Sequence, residues 1–260
     1  MKPKKSLGQN FINDTNLLSK IVDDGKISTN DTILEIGPGK GSLTNEILKK
    51  KPKKLIVVEK DKFLSNELKE KFGQRIEVIN NDILKCYHNF NFKKPIKVFG
   101  NLPYNISTKI LTSIIKLENL NKIFSEFIFV FQKEVAERIV AKFNTKQYGR
   151  ISILSSWKMN KSKIFDISPK SFYPIPKVWS SLVVLKPKNK IEHIKNSKNL
   201  EYITNTFFSQ RRKMIRKPMK QLFKNYNDVA ENLNINLNLR PQNLKISTYI
   251  EICKYFEKLT

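Results

Sequence analysis

Along most of this chain, short and almost unbroken apolar runs alternate with amphipathic segments, and that alternation narrows the possible folds more than any other feature. The runs are TILEIG (32–37), KLIVVE (54–59), RIEVIN (75–80), IKVFGN (96–101), FIFVFQ (127–132), RISILSSW (150–157) and SSLVVLK (180–186). Each has the length and composition of a buried strand. The intervals carry helical periodicity. DTNLLSKIVDDG precedes the first run and SLTNEILKK follows it. FLSNELKEKF comes next, with Leu64, Leu68 and Phe72 on one face, then ISTKILTSIIK after the fourth run and KEVAERIVAKF after the fifth. Strands that are apolar throughout are buried on both faces. The expected fold is α/β, a mainly parallel sheet with helices packed on each side. The pattern stops at LKPKNK (185–190), which is charged, aperiodic and contains Pro187, and so reads as a linker. Residues 196–260 read as helices broken at Pro218 and near Pro241. The expected domains are a larger one at 1–186 and a helical, basic one at 187–260.

Charge narrows the partners. Lys and Arg number 49 against 23 Asp and Glu, a net +26. A field of that size attracts polyanions, of which nucleic acid is the commonest. Part of the excess follows from a Lys-, Asn- and Ile-rich composition of the kind AT-rich genomes encode. Such bias does not favour Arg, so QRRKMIRK (210–217) stands out. Two cysteines, Cys86 and Cys253, and two separated histidines, His88 and His193, offer neither a disulfide framework nor a metal site. The N-terminus is basic, but SLGQNFIND is polar where a signal peptide is apolar. No stretch nears the roughly 20 apolar residues of a membrane span. A cytoplasmic protein without a metal is expected.

Four run ends carry residues suited to holding a ligand. EIGPGKGSLT (35–44) is a glycine-rich turn between a strand and a helix. Gly37 and Gly39 allow a tight turn and close approach of a ligand to the backbone. Amides at the following helix start add a position for an anion. Glu59 ends the second run, where a carboxylate can accept both hydroxyls of a ribose. The spacing is G-x-G-x-G, with Ser42 where a dinucleotide fingerprint has its third small residue. A nucleoside cofactor without phosphates, such as S-adenosylmethionine, suits this at least as well. Asp82, in NND (80–82), is placed to accept from an adenine amino group, and Asn101 ends the fourth run. Ligands of open α/β sheets gather beyond the carboxyl ends of the strands, where all four positions lie.

The segment NLPYNIS (101–107) supplies the chemistry. Pro103 fixes its own φ and biases Leu102 towards extended backbone, so nearby carbonyls point in set directions. Asn101 brings a side-chain carbonyl and Tyr104 a flat π face. The exocyclic amine of adenine is a poor nucleophile, because its lone pair is delocalised into the ring. Neutral acceptors that draw its hydrogens aside favour a tetrahedral nitrogen. A strong base is unnecessary, because the proton turns acidic only after methyl transfer. A stacked ring holds the base and favours developing positive charge. The chain has no Pro-Cys pair, which argues against cytosine C5 methylation through a thiolate. SFYPIPKVWSSLVVL (171–185) is a second constrained loop, stiffened by Pro174 and Pro176. Phe172 is expected as a platform for an unstacked base and Tyr173 as packing.

Together these segments resemble the KsgA-type ribosomal RNA adenine N6,N6-dimethyltransferases over almost the whole chain. KKSLGQNFI (4–12), EIGPGKGSLT, VVEKD (57–61), NND, NLPYNIS, FVFQKEVAERI (129–139), FYPIPKVWSS (172–181) and FFSQRRKMIRK (207–217) follow in family order. The resemblance implies a Rossmann-like methyltransferase domain with a seven-stranded, mostly parallel sheet and one antiparallel strand near its end, plus a small helical C-terminal domain. It implies S-adenosylmethionine held by Asn10, Ile12, Gly37, Gly39, Glu59, Asp82 and Asn101. Catalysis would rest on Asn101, Leu102, Pro103, Tyr104 and Phe172. The implied substrate is two adjacent adenosines in a hairpin loop near the 3′ end of small-subunit ribosomal RNA, dimethylated during subunit maturation; a monomer is expected. Arg211, Arg212, Lys213 and Arg216, in a QRRK segment read as helical, are expected to meet RNA phosphates. The chain departs from the family at Trp179, where an acid is usual. Alternatives are the Erm type, which methylates large-subunit ribosomal RNA, and a non-catalytic nucleic-acid-binding factor on the same fold. The proline of EIGPG and the blocks QKEVAERI and QRRK favour the first reading.

Overall fold

In the computed structural model, which describes residues 8–90 and 92–259, the first apolar run is an inner strand of the main sheet. In chain order the strands are β1 (Phe11–Ile12), β2 (Thr32–Ile36), β3 (Lys54–Glu59), β4 (Glu77–Asn80), β5 (Ile96–Asn101), β6 (Phe124–Gln132), β7 (Met159–Ile167), β8 (Phe172–Tyr173) and β9 (Ser180–Pro187). The helices are α1 (Thr15–Asp24), α2 (Ser42–Lys49), α3 (Lys62–Phe72), α4 (Ile83–Cys86), α5 (Ser107–Ile115), α6 (Leu120–Ile123), α7 (Lys133–Val140), α8 (Arg150–Lys158), α9 (Ser197–Phe208), α10 (Arg216–Leu222), α11 (Tyr226–Asn232) and α12 (Ile246–Leu259). The basic lead-in at 1–7 lies outside the described residues. Among the described residues, no helix is long and apolar enough to cross a membrane.

The main sheet has seven strands in the order β4-β3-β2-β5-β6-β9-β7. Strands β4, β3, β2, β5 and β6 pair in parallel. β9 returns antiparallel to β6, with Val130 opposite Leu182. The chain grows outward from β2 through β3 to β4 and then starts again on the other side at β5. The carboxyl ends of β2 and β5 therefore flank the point where strand order reverses, and there the loops diverge and leave a crevice. Apolar strand residues close the sheet from both sides: Ile33, Val57, Val98, Phe99, Ile128 and Phe129 are fully buried. A two-stranded ribbon pairs Phe11 with Tyr173 and Ile12 with Phe172, so the N-terminal segment is tied to the loop that precedes β9.

The run RISILSSW is a helix, α8, and not the strand its apolar content implied. A helix buried on nearly every side loses its amphipathic signature, and here Ser152, Ile153, Leu154, Ser155, Trp157 and Lys158 are all buried. Its serines signal this locally. Ser152 Oγ accepts from the Gly149 amide at 3.0 Å, and Ser155 Oγ donates to the Ile151 carbonyl at 2.6 Å. The seventh strand is β7, MNKSKIFDI, whose polar middle hid it; it ends the sheet, where one side needs no apolar cover.

By compactness the chain forms two units. The first comprises 1–136 and 161–187; the second takes residues 137–160 together with 188–260. The second unit is helical. α9 packs against α8 and α12, and the rings of Phe207, Phe208 and Tyr249 meet at its centre. Tyr249 Oη donates to the Pro241 carbonyl at 2.7 Å, which seats the turn before α12.

Candidate active site

A crevice in the first unit is lined by Asn10, Ile12, Glu35, Gly37, Gly39, Glu59, Asp82, Asn101, Leu102 and Pro103, among others. Strand ends expected at one place are thus at one place. The loop after β2 turns through left-handed backbone at Gly37 (φ 69°) and Gly39 (φ 58°). A Cβ on Gly39 would lie 2.6 Å from the Phe11 ring, whereas one on Gly37 would meet nothing within 4 Å. Gly39 is therefore required by backbone shape and by packing, and Gly37 by shape alone.

Glu59, at the tip of β3, is 6% exposed. Its Oε2 accepts from the Gly39 amide at 3.1 Å and its Oε1 from the Asp61 amide at 2.8 Å. These bonds fix the carboxylate against the glycine loop and leave each oxygen a second lone pair. Burial raises the Glu59 pKa, and the backbone bonds from Asp61 and Gly39 work against that rise. Asp82 caps α4 through the Leu84 amide and pairs with Lys60 at 2.9 Å. Burial acts to raise its pKa, but the Lys60 bond and the Leu84 amide prevail and hold it low. Asp82 stays an acceptor across the physiological range.

Asn101 closes β5. Its Nδ2 donates to the Asn10 carbonyl at 2.6 Å, which sets the orientation of the amide. Its Oδ1 is buried and has no hydrogen-bond partner among the described residues. A buried carbonyl left unpaired costs on the order of 1–3 kcal/mol, so it marks a place where a donor belongs. The Pro103 carbonyl is taken up by the amides of Ile106 and Ser107 at the start of α5. Leu102 is buried, and Tyr104 lies half-buried with its Oη 2.5 Å from Ser180 Oγ. Burial raises the Tyr104 pKa and the Ser180 bond opposes it, so the phenol remains neutral.

The two rings before Pro174 are exchanged relative to expectation. Phe172 is 2% exposed and belongs to the core cluster with Ile12, Leu18 and Leu182, whereas Tyr173 is 52% exposed. Successive strand residues face opposite ways, and the pairing of Ile12 with Phe172 turns both inward. The exposed ring of this pair is thus Tyr173, and Phe172, expected on the surface, is enclosed. In the second unit, QRRK occupies a turn between α9 and α10, not a helix. Arg211 is used there as a clasp. Its guanidinium donates to Gln242 Oε1 at 3.1 Å and to the carbonyls of Thr145 and Lys146. Arg216 reaches Asn238 Oδ1 at 3.5 Å, and Arg212 and Lys213 are exposed.

Residues 1–258 match the family model for ribosomal RNA adenine dimethylase. The chain belongs to that family. A Pelagibacter ubique (strain HTCC1062) protein named ribosomal RNA small subunit methyltransferase A is 54% identical over 259 residues, spanning 100% of this chain and 98% of that protein. A solved dimethyladenosine transferase from Plasmodium falciparum is 26% identical with a TM-score of 0.78, and covers 95% of this chain and 98% of that one. The 23S rRNA methyltransferase ErmE shares the fold, at 20% identity and a TM-score of 0.68, and covers 96% and 99%.

The dimethylase family depends on S-adenosylmethionine, and the crevice fits that group. An unpaired buried carbonyl at Asn101, a glycine loop left open at Gly37 and a fixed carboxylate at Glu59 make a donor-hungry wall suited to a nucleoside's hydroxyls and amines. Sequence reasoning passed over Glu35, the one acid inside the run TILEIG, although a charge at an inner strand position was its signal. Glu35 is wholly buried and accepts from Thr44 Oγ1 at 2.7 Å. Burial raises its pKa to about 8, the Thr44 bond opposing and the Glu59 charge adding to the rise.

The unfolded chain releases that proton near 4.5 and the folded dimethylase keeps it to about 8. Stability from this group is whole below 4.5 and is lost as pH rises towards 8. Glu35→Gln has no proton to lose. Urea unfolding at pH 5 and pH 8 should show the variant losing roughly 2–4 kcal/mol less than the parent over that interval. Equal losses would mean that Glu35 is ionised in the fold.

Proposed function

We propose that this chain transfers methyl groups from S-adenosylmethionine to the N6 amines of two adjacent adenosines in a hairpin loop near the 3′ end of small-subunit ribosomal RNA. The observation that carries this is the buried Asn101 Oδ1, oriented by the Asn10 carbonyl and left without a donor at the crevice wall. When bound, S-adenosylmethionine supplies an electrophilic methyl carbon on a sulfonium. Glu59 would hold the ribose, Asp82 the adenine amine and Gly37 and Gly39 the chain of the cofactor; Asn10 and Ile12 would wall the site. Asn101 Oδ1 and the Leu102 carbonyl accept the two hydrogens of the target amine and bend its nitrogen towards tetrahedral, which localises the lone pair for attack. These acceptors carry no formal charge, so they do not bind the sulfonium itself in a dead-end ion pair. Tyr104, neutral and anchored by Ser180, gives the extruded base a ring to lie on.

The same proposal includes the setting. A cytoplasmic monomer works on an assembling subunit, and the division of labour falls between the catalytic part of 1–186 that carries the sheet and the basic helical segment at 187–260, which residues 137–160 join. Arg212 and Lys213 would neutralise RNA phosphates, with Arg216 beside them. Arg211 shapes the turn that presents them. The small-subunit reading is favoured over the large-subunit one by 54% identity to a relative named for the small subunit, against a likeness of fold alone to ErmE. Mass-spectrometric mapping of ribosomal RNA from cells with and without the gene is the test. Two neighbouring dimethyladenosines in small-subunit RNA should vanish without it; a lost mark in large-subunit RNA, or no lost mark, would overturn the assignment.

A further inference from the structure

The loop between β8 and β9 exposes more apolar surface than its length warrants. Tyr173 is 52% exposed, Ile175 66%, Val178 43% and Trp179 50%. Trp179 is the costliest of these to leave in water, and it sits at a telling position. The next residue, Ser180, is fully buried and bonded to Tyr104 Oη, so the indole is one residue from the anchor of the catalytic tyrosine. Its own carbonyl accepts from the Lys133 amide at 2.9 Å, which fixes its backbone to the start of α7. Lys133 Nζ stands over the indole, 5.9 Å from the ring centroid, and is itself paired with Asp166 at 2.7 Å, so one side of the ring faces a neutralised ion pair. Lys177, on the same loop, is exposed.

A half-exposed indole whose backbone is anchored, on a loop that also carries the exposed Lys177, suits a partner that is flat, π-rich and anionic at its edge. A nucleotide has all three properties; a lipid surface or an acidic peptide lacks the flat face. We propose that Trp179 stacks on an unpaired nucleobase next to the adenosine being methylated, and so positions the RNA loop over the crevice. Base–aromatic stacking is tolerant of base identity, so Trp179 is a positioning residue for loop geometry and not a reader of sequence. The proposal rests on the RNA reading above.

The chain has two tryptophans, and the other one, Trp157, is buried with its Nε1 donating to the Glu192 carbonyl at 2.8 Å. Trp157→Phe therefore leaves Trp179 as the sole reporter. Its fluorescence should be quenched on addition of a small-subunit hairpin RNA with an unpaired adenosine-containing loop. A fully paired duplex of equal length should quench far less. In steady-state methylation, Trp179→Ala should raise KM for the hairpin about tenfold with cofactor affinity unchanged, and Trp179→Phe should recover most of the loss. Hairpin methylation with unaltered KM in the alanine variant, or quenching equal for hairpin and duplex, would overturn the stacking role and leave the activity standing. Failure of the unsubstituted chain to methylate any such hairpin or subunit would instead sink the substrate reading. A Trp179 signal that responds only to a ribosomal protein and not to RNA would also refute it.

Discussion

Asn101→Ala should lower kcat for adenosine methylation by about 10²–10³-fold, the scale seen when one preorganised polar contact to a reacting group is removed. The substitution deletes the one buried side-chain acceptor in the crevice that has no donor of its own among the described residues. Ground-state binding should suffer little, because the target amine can still bond the Leu102 carbonyl. The variant also loses the bond to the Asn10 carbonyl, a single contact at 2.6 Å. One neutral hydrogen bond is worth about 1 kcal/mol, so the unfolding midpoint should fall by no more than about 2–4 °C. Calorimetric titration with the cofactor should return an affinity within a fewfold of the parent. Single-turnover assays then separate the two roles of the side chain. A collapse in the chemical step with intact cofactor binding supports the acceptor role. A parental rate would refute it.

Why Asn101 could be found from the sequence, and Phe172 could not be placed, comes down to how local each determinant is. Strand ends are marked by the strand itself: KLIVVE stops at Glu59, RIEVIN leads into Asp82 and IKVFGN stops at Asn101. A parallel sheet then brings those ends to one edge without further information. Gly37 and Gly39 are legible for the same reason, since a tight strand-to-helix turn needs them wherever it occurs. The inward turn of Phe172 is decided by Ile12, 160 positions away, through the ribbon pairing of β1 with β8. No local pattern records that register, and a two-residue strand has too little alternation to reveal a face. The clasp made by Arg211 was hidden for a related reason. Its acceptors are carbonyls at 145 and 146 and the Gln242 side chain, all distant in sequence, so the sequence showed only its charge. Helix α8 failed on the opposite count: it is so enclosed that its period vanished.

Glu59→Ala should weaken cofactor binding about 100-fold, measured by calorimetric titration with S-adenosylmethionine or its demethylated product. Two effects combine. The carboxylate offers two remaining lone pairs, and a hydrogen bond to a charged acceptor contributes about 1.5–3 kcal/mol. The same carboxylate also holds the glycine loop, because the Gly39 amide at 3.1 Å and the Asp61 amide at 2.8 Å both donate to it. Without it those buried amides lose their acceptor, and the loop that forms one wall of the crevice loosens. Glu59→Gln separates the effects. It keeps the size and one acceptor but turns an amine towards one of the two amides, and should lie between parent and alanine at about tenfold. The pH dependence has a fixed sign. Because burial raises the Glu59 pKa, the parent protonates at a higher pH than an exposed glutamate and its cofactor affinity should fall early on acidification. The glutamine variant should lack that fall. Affinity within threefold of the parent in the alanine variant would remove Glu59 from the site and, with it, the reason for the β3 tip to face the crevice. The saturating rate of either variant should stay within about tenfold of the parent, since Glu59 stabilises the bound cofactor before and during transfer alike, and uniform binding lowers KM without raising kcat.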